Sequence, residues 1–193
     1  MIAVVVLAGG EGRRMGGGKP LCLLGGRTLI DRAVGRSRSW SDLVAVSVRE
    51  IGQAGPVSVP EIIDAEGEGP LAGLAAALGF ARVGGADKLL TIACDMPMLP
   101  ADLPARLEQA LTPDTGAAIA SSGGLLHPVC GLWRRDVLDA LPSFRDSGRS
   151  SLRGFAEWVG SVVVEWPAEP YDSFLNVNRP DELAAAEGLL RSR

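Results

Sequence analysis

Residues 2–7, Ile-Ala-Val-Val-Val-Leu, form an unbroken apolar run that stops at Ala8-Gly9-Gly10. A strand with water on one face alternates apolar and polar side chains. A run without a polar position needs cover on both faces, as in a parallel sheet between two layers of helices. The next stretch is unusually poor in side chains: six of the ten residues 9–18 are glycine. Helical order is expected to resume at Thr28, a capping residue, through about Ser37, with Leu29, Ile30, Ala33 and Val34 on one face. Strand, glycine loop and helix make the first half of a βαβ unit.

The pattern repeats. Strands are predicted at 43–48, 61–64, 88–93, near 117–120, at 128–133 and at 162–166. Helices are predicted from Pro70 to the Gly84-Gly85 stop, where Leu71, Leu74, Ala75 and Leu78 fall at helical spacing, and at 100–111, 135–141, 150–159 and 180–190. Alternation at this spacing implies an α/β fold: a three-layer, Rossmann-like open sheet, mostly parallel, with helices on both faces. With 193 residues, 47% of them hydrophobic, one core suffices, and one domain over 1–193 is expected. No apolar run approaches the roughly 18 residues of a membrane span, so no membrane association is expected. The three cysteines are scattered, without C-x-x-C pairing, and imply a reduced, cytoplasmic protein.

The net charge of −4 argues against nucleic acid as a partner. Residues 11–36 nevertheless hold six basic side chains against two acidic ones, which favours a small anionic ligand near that segment. Glycines at 9–18 let main-chain N–H groups converge on phosphate oxygens, with Arg13, Arg14 and Lys19 as countercharge. Pro20 after Lys19 rules out a Walker A loop, and the glycine spacing rules out a dinucleotide G-x-G-x-x-G. In Ala93-Cys94-Asp95-Met96-Pro97 one carboxylate leaves the sheet at a strand end. That suits Mg²⁺, which takes one or two carboxylates plus waters and substrate phosphates.

Leu7-Ala8-Gly9-Gly10, Arg14-Met15-Gly16, Lys19, Gly69-Pro70-Leu71-Ala72-Gly73 and Cys94-Asp95-Met96-Pro97 together resemble nucleotidyltransferases, specifically the molybdenum cofactor guanylyltransferases that join GMP to molybdopterin. Asp64, His127-Pro128 and residues 174–183 (Phe-Leu-Asn-Val-Asn-Arg-Pro-Asp-Glu-Leu) extend the match over nearly the whole chain in order. The resemblance implies that Leu7, Ala8, Gly10 and Gly69 line the nucleotide, that Lys19 meets its phosphates, and that Asp64 holds the guanosine. It implies Asp95 as the Mg²⁺ ligand, with Asn178 helping. Gly9 stands where the cytidylyl relatives look to have alanine, and so points to guanine. Asn176 and Asn178, two apart and expected on the same side, would border the pterin with His127. Two positions depart from the pattern. Ser47 stands where asparagine is usual, so one nucleoside contact is either taken over by its hydroxyl or lost, and Gly18 replaces the usual aspartate before Lys19.

The implied reaction needs no protein nucleophile. A phosphate of the acceptor attacks the α-phosphorus of GTP and pyrophosphate leaves, with Arg13, Lys19 and a metal on Asp95 offsetting charge. Transient contact with cofactor-delivering or molybdoenzyme proteins would follow from such a product. The competing readings are a cytidylyl or sugar-phosphate nucleotidylyltransferase and a nucleotide-binding module without catalysis.

Overall fold

The computed structural model describes residues 1–10, 18–65 and 69–191. Its strands are β1 (Ile2–Leu7), β2 (Leu23–Leu24), β3 (Arg27–Thr28), β4 (Val44–Val48), β5 (Glu61–Ile63), β6 (Lys88–Ala93), β7 (Ala117–Ser122), β8 (Leu125–Arg134) and β9 (Ser161–Trp166). Its helices are α1 (Leu29–Arg38), α2 (Pro70–Val83), α3 (Leu103–Ala110), α4 (Leu141–Asp146), α5 (Leu152–Trp158) and α6 (Pro180–Arg191). Seven strands form one sheet in the order β5-β4-β1-β6-β8-β7-β9, and β2 and β3 pair with each other. Within the seven-stranded sheet only β8 runs against its neighbours.

The apolar run of β1 is covered on both faces, as its sequence demands. Val4 and Val6 join Val46 and Ile92 under Ile30 and Val34 of α1 and Leu103 and Leu107 of α3. Ala3 and Val5 join Ala45 and Leu89 under Leu71, Leu74 and Leu78 of α2, and that layer continues through Phe144 of α4 and Phe155 of α5. The sheet is therefore the middle of three layers. Thr28 caps α1, its hydroxyl accepting from the Asp31 N–H at 3.1 Å. Among the described residues no helix is long and apolar enough to cross a membrane.

Four elements differ from the sequence expectation. Helix α3 begins at Leu103 and not at Pro100, because Asp102 takes the N-cap position and Pro104 fits the first turn, where a missing N–H costs nothing. Residues Arg135–Ala140 form a 3-10 helix. Pro142 has no N–H to continue it, and the chain starts again as α4. Strand β8 begins three residues earlier than expected, at Leu125, because Gly123 and Gly124, with φ of 55° and 78°, make a tight hairpin turn with β7. Gly25 and Gly26, at 55° and 75°, do the same between β2 and β3, a hairpin absent from the expected strands.

The β7–β8 ladder also jumps, from Ala120 opposite His127 to Ile119 opposite Gly131. Pro128, Val129 and Cys130 are therefore extra residues in β8. Pro128 cannot donate to a ladder, so a bulge is where this strand tolerates it. On its other edge β8 pairs with β6 only as far as Thr91. The last residues of β6 run on without a partner there, and the sheet opens at its carboxyl edge.

Candidate active site

The chain leaves β1 toward β4 on one side and returns through β6 on the other. In an open α/β sheet that reversal leaves a crevice beyond the carboxyl ends of the strands, where ligands bind. A cavity of about 250 Å³ lies there. The loop after β1 supplies Ala8, Gly9 and Gly10, and Leu7, Lys19, Arg49, Asp64, Gly69, Gly73, Cys94, Asp95 and Val129 complete most of its wall.

Sheet order puts one carboxylate on each side of β1. Asp64 follows β5, and its N–H donates to the Val48 carbonyl at 2.7 Å, so the β4–β5 ladder carries it to the edge. Its Oδ1 accepts from Ser47 Oγ at 2.5 Å. Asp95 follows β6 on the other side, and its carbonyl accepts from the Val177 N–H at 2.8 Å. This bond brings the segment before α6 to the site. Glu182, in the first turn of α6, reaches back with Oε2 to the N–H groups of Asn178 at 2.6 Å and Arg179 at 3.1 Å, a capping arrangement that fixes the backbone of Asn178. Lys19 closes the cluster. Its Nζ donates to Asp95 Oδ2 and Asn178 Oδ1, each at 2.5 Å, with both charged side chains largely buried.

Of the residues expected from sequence, Leu7, Ala8, Gly9, Gly10, Lys19, Asp64, Gly69 and Asp95 all reach the cavity, and Asn178 joins them through Lys19. Arg13 lies outside the described residues. Ser47 is fully buried and does not line the cavity; its hydroxyl is spent on Asp64. Asn176 is half-buried and stands apart from the cavity wall. His127 is also away from it. Its Nε2 lies 2.8 Å from Ser122 Oγ, and its ring stacks on Phe174 at 4.9 Å and 11°. Burial lowers the His127 pKa below the ordinary histidine range against an upward pull from Asp172 and Glu165. Arg49 and Val129 were missed. The position of Arg49 directly after β4 could have found it, and Pro128 inside a strand is the sequence signal for the bulge that turns Val129 inward. Cys94 lines the cavity as a neutral thiol, since burial and the Asp95 charge push its pKa up to about 12, so it is no nucleophile.

The oxygen donors fit Mg²⁺. Asp95 Oδ1 is buried and has no hydrogen-bond partner among the described residues, an expensive state for a carboxylate oxygen that a cation would relieve. The other Asp95 oxygen, Oδ2, and the Asn178 amide oxygen both accept from Lys19 Nζ. Both are hard oxygen donors, and among the described residues no group of three His, Cys, Asp or Glu offers an all-protein cage.

The MobA-like NTP transferase domain matches residues 4–162. A molybdenum cofactor guanylyltransferase of Cereibacter sphaeroides is 39% identical over 97% of this chain and 96% of its own length. Another of that name from Sinorhizobium fredii is 40% identical over 95% of this chain and 89% of its own. Among solved structures, molybdopterin-guanine dinucleotide biosynthesis protein A of Archaeoglobus fulgidus superposes with a TM-score of 0.79 over the full length of both chains at 24% identity. A CMP:2-keto-3-deoxy-manno-octonic acid synthetase complexed with CTP superposes at 0.75 over 99% of this chain and 98% of its own, at 16% identity, so the fold alone does not choose the base. The whole-chain identity does choose among families, and with the domain match it shows that this chain belongs to the MobA-like NTP transferases and, among them, to the molybdenum cofactor guanylyltransferase family.

Proposed function

We propose that the protein transfers GMP from GTP to a molybdopterin-type acceptor with release of pyrophosphate, assisted by Mg²⁺ at Asp95 and Asn178. The observation that carries this reading is the glycine-walled cavity with Asp64 on one side of β1 and the Lys19–Asp95–Asn178 cluster on the other. A nucleoside triphosphate needs a polar anchor at its nucleoside end and positive charge at its phosphate end. The bond that forms joins an acceptor phosphate oxygen to the α-phosphorus, and the bond that breaks is the one from that phosphorus to the oxygen bridging to the β-phosphate.

The acceptor phosphate is already ionised near neutral pH, so no general base is needed, in keeping with a neutral His127 and a protonated Cys94. Gly10, where a Cβ would meet nothing within 4 Å, keeps the wall open so that phosphates can approach the backbone. Lys19, held by two oxygens inside a largely buried site, is a fixed positive charge in a low dielectric, where charge growing on departing pyrophosphate is stabilised most. The metal, when bound, would supply Lewis-acid polarisation of phosphate oxygens. The product would pass on by transient contact with cofactor-delivering or molybdoenzyme proteins. The cytoplasm is the proposed location, supported by three cysteines that are all free thiols.

The test is pyrophosphate release with molybdopterin and Mg²⁺ across GTP, CTP, ATP and UTP, beside thermal stabilisation by each nucleotide. A ligand at 100 times its Kd adds about 2.7 kcal/mol. GTP is expected to lead both series. Turnover led by CTP would replace the guanylyl assignment with a cytidylyl one.

A further inference from the structure

Ser47 is a hydroxyl in an otherwise apolar, fully buried strand (Val-Ala-Val-Ser-Val). Side chains alternate along β4, so Val44, Val46 and Val48 face α1 while Ala45 and Ser47 face α2. A hydroxyl in such a place costs stability unless it is bonded. Its bond goes to one oxygen of one carboxylate, Asp64 Oδ1, at 2.5 Å. That leaves Oδ2 turned toward Gly9. A Cβ built on Gly9 would run into Asp64 Oδ2 and come within 3.3 Å of Asp64 Cγ. Gly9 does not need its glycine for a left-handed turn, since it is not among the glycines with positive φ. It needs it because the carboxylate occupies the space. Gly73 of α2 backs the same group from below: a Cβ there would lie 3.4 Å from both Asp64 Oδ1 and Ser47 Oγ. By contrast, a Cβ on Gly10 would meet nothing within 4 Å.

We propose that Ser47 is a positioning residue for nucleoside selection: its hydroxyl locks the Asp64 carboxylate so that Oδ2 stands over Gly9, aimed at a donor group of the bound nucleoside. The asparagine expected at this position would be a direct contact, whereas Ser47 acts through Asp64. The role of Gly9 changes with it. A methyl there would displace the carboxylate that reads the nucleoside before it could crowd the base. A carboxylate oxygen only accepts, so its partner is an N–H of the base or a hydroxyl of the ribose. This inference rests on the guanylyl reading.

The probes are GTP, inosine triphosphate, which lacks the base amino group, and 2′-deoxy-GTP, with Kd from calorimetry and KM and kcat from pyrophosphate release. Ser47→Ala is expected to weaken GTP about tenfold, as loss of a hydrogen bond to a charged group does, and to do so in KM more than in kcat. The analogue lacking the group that Oδ2 accepts from should lose much less. Ser47→Thr, which keeps the hydroxyl, should restore GTP. Ser47→Cys, close in size with a much weaker donor, tests the same bond if the alanine variant does not fold. Gly9→Ala should also weaken GTP, and Gly9→Ala with Ser47→Ala should fall short of the product of the two effects, because a released carboxylate can turn away from the methyl. Parental GTP affinity in Ser47→Ala or independent Gly9 and Ser47 effects would each overturn the proposal while leaving the guanylyl reading standing; equal losses for all three nucleotides would support it and place the partner at the base N1–H or the 3′-hydroxyl, which all three keep. A parent protein that binds no GTP would overturn both.

Discussion

On one side of β1, strands β4 and β5 run parallel and end in Arg49 and Asp64. On the far side of β6, β8 and β7 form an antiparallel hairpin with β9 parallel to β7, and Trp166, Phe174 and His127 gather there as a cluster of rings with centroids 5.4 and 4.9 Å apart. The first region places charged and polar groups on a cavity and keeps bulk away with glycine. The second fills its interior with aromatic side chains and contributes to the cavity mainly through the bulge carrying Val129. The charged and polar groups of the cavity lie where parallel strands end in loops, and the hairpin side supplies shape. The two regions should accordingly fail in different ways when perturbed.

The largest expected effect is Asp95→Ala. Removing the carboxylate on which a metal would sit should cut turnover about a thousandfold or more, while the chain still folds because both core layers are built without Asp95. Near-normal Mg²⁺-dependent turnover would take Asp95 out of the site. Next, and opposite in kind, is Trp133→Ala in β8. This fully buried ring donates to Thr91 Oγ1 at 3.0 Å and stacks on Phe155 at 6.0 Å. Its loss should cost about 3–5 kcal/mol of stability in denaturant melts, with the GTP Kd of the folded fraction little changed. A large change in Kd at small cost in stability would erase the proposed division of labour.

Lys19→Ala should weaken GTP and lower kcat/KM together by about ten- to a hundredfold, as expected for removing one charge-assisted contact. Arginine should rescue only in part, because a planar fork cannot take the place of a compact ammonium between two oxygens. Titration and single-turnover kinetics would check both. The smallest effect belongs to His127, the one histidine in the chain. Its folded-state pKa is lowered, chiefly by burial, so the unfolded chain takes up the proton first and stability should fall as pH drops through the ordinary histidine value near 6.5. Tm followed from pH 8 to 5 should show a shallow decline that flattens in His127→Gln. An unchanged slope would mean that the neutral ring is not what the stack requires.

The first region was far more legible in the sequence than the second. The valine run of β1, the Gly69-Pro70 opening of α2 and the Asp95 exit from β6 are local signals: periodicity, a helix-starting proline, a carboxylate after a short apolar strand. The partnership of Lys19 with Asn178 was not local, and only the resemblance brought the two near one substrate. On the hairpin side the local signals misled. The strand expected from Pro128 begins at Leu125, because the Gly123-Gly124 turn pairs Leu125 with Ser122 and the bulge absorbs the proline. Register is a property of two strands at once, and single-residue preferences do not encode it. His127 shows the same limit, since a lone histidine in sequence carries no sign of whether it faces a cavity or a phenylalanine.

The bond between Lys19 and Asn178 spans 159 positions of the chain. As a ribosome makes this chain, Lys19 and then Asp95, 76 positions later, are both out before Asn178. A nascent chain can therefore build most of the sheet and still lack the amide oxygen, the Val177 tether and the Glu182 brace. Contacts of such separation in sequence are slow to form. The strands and both core layers can thus be in place while the cluster around Lys19 is unfinished, and the segment carrying Val177, Asn178 and Glu182 is what completes it.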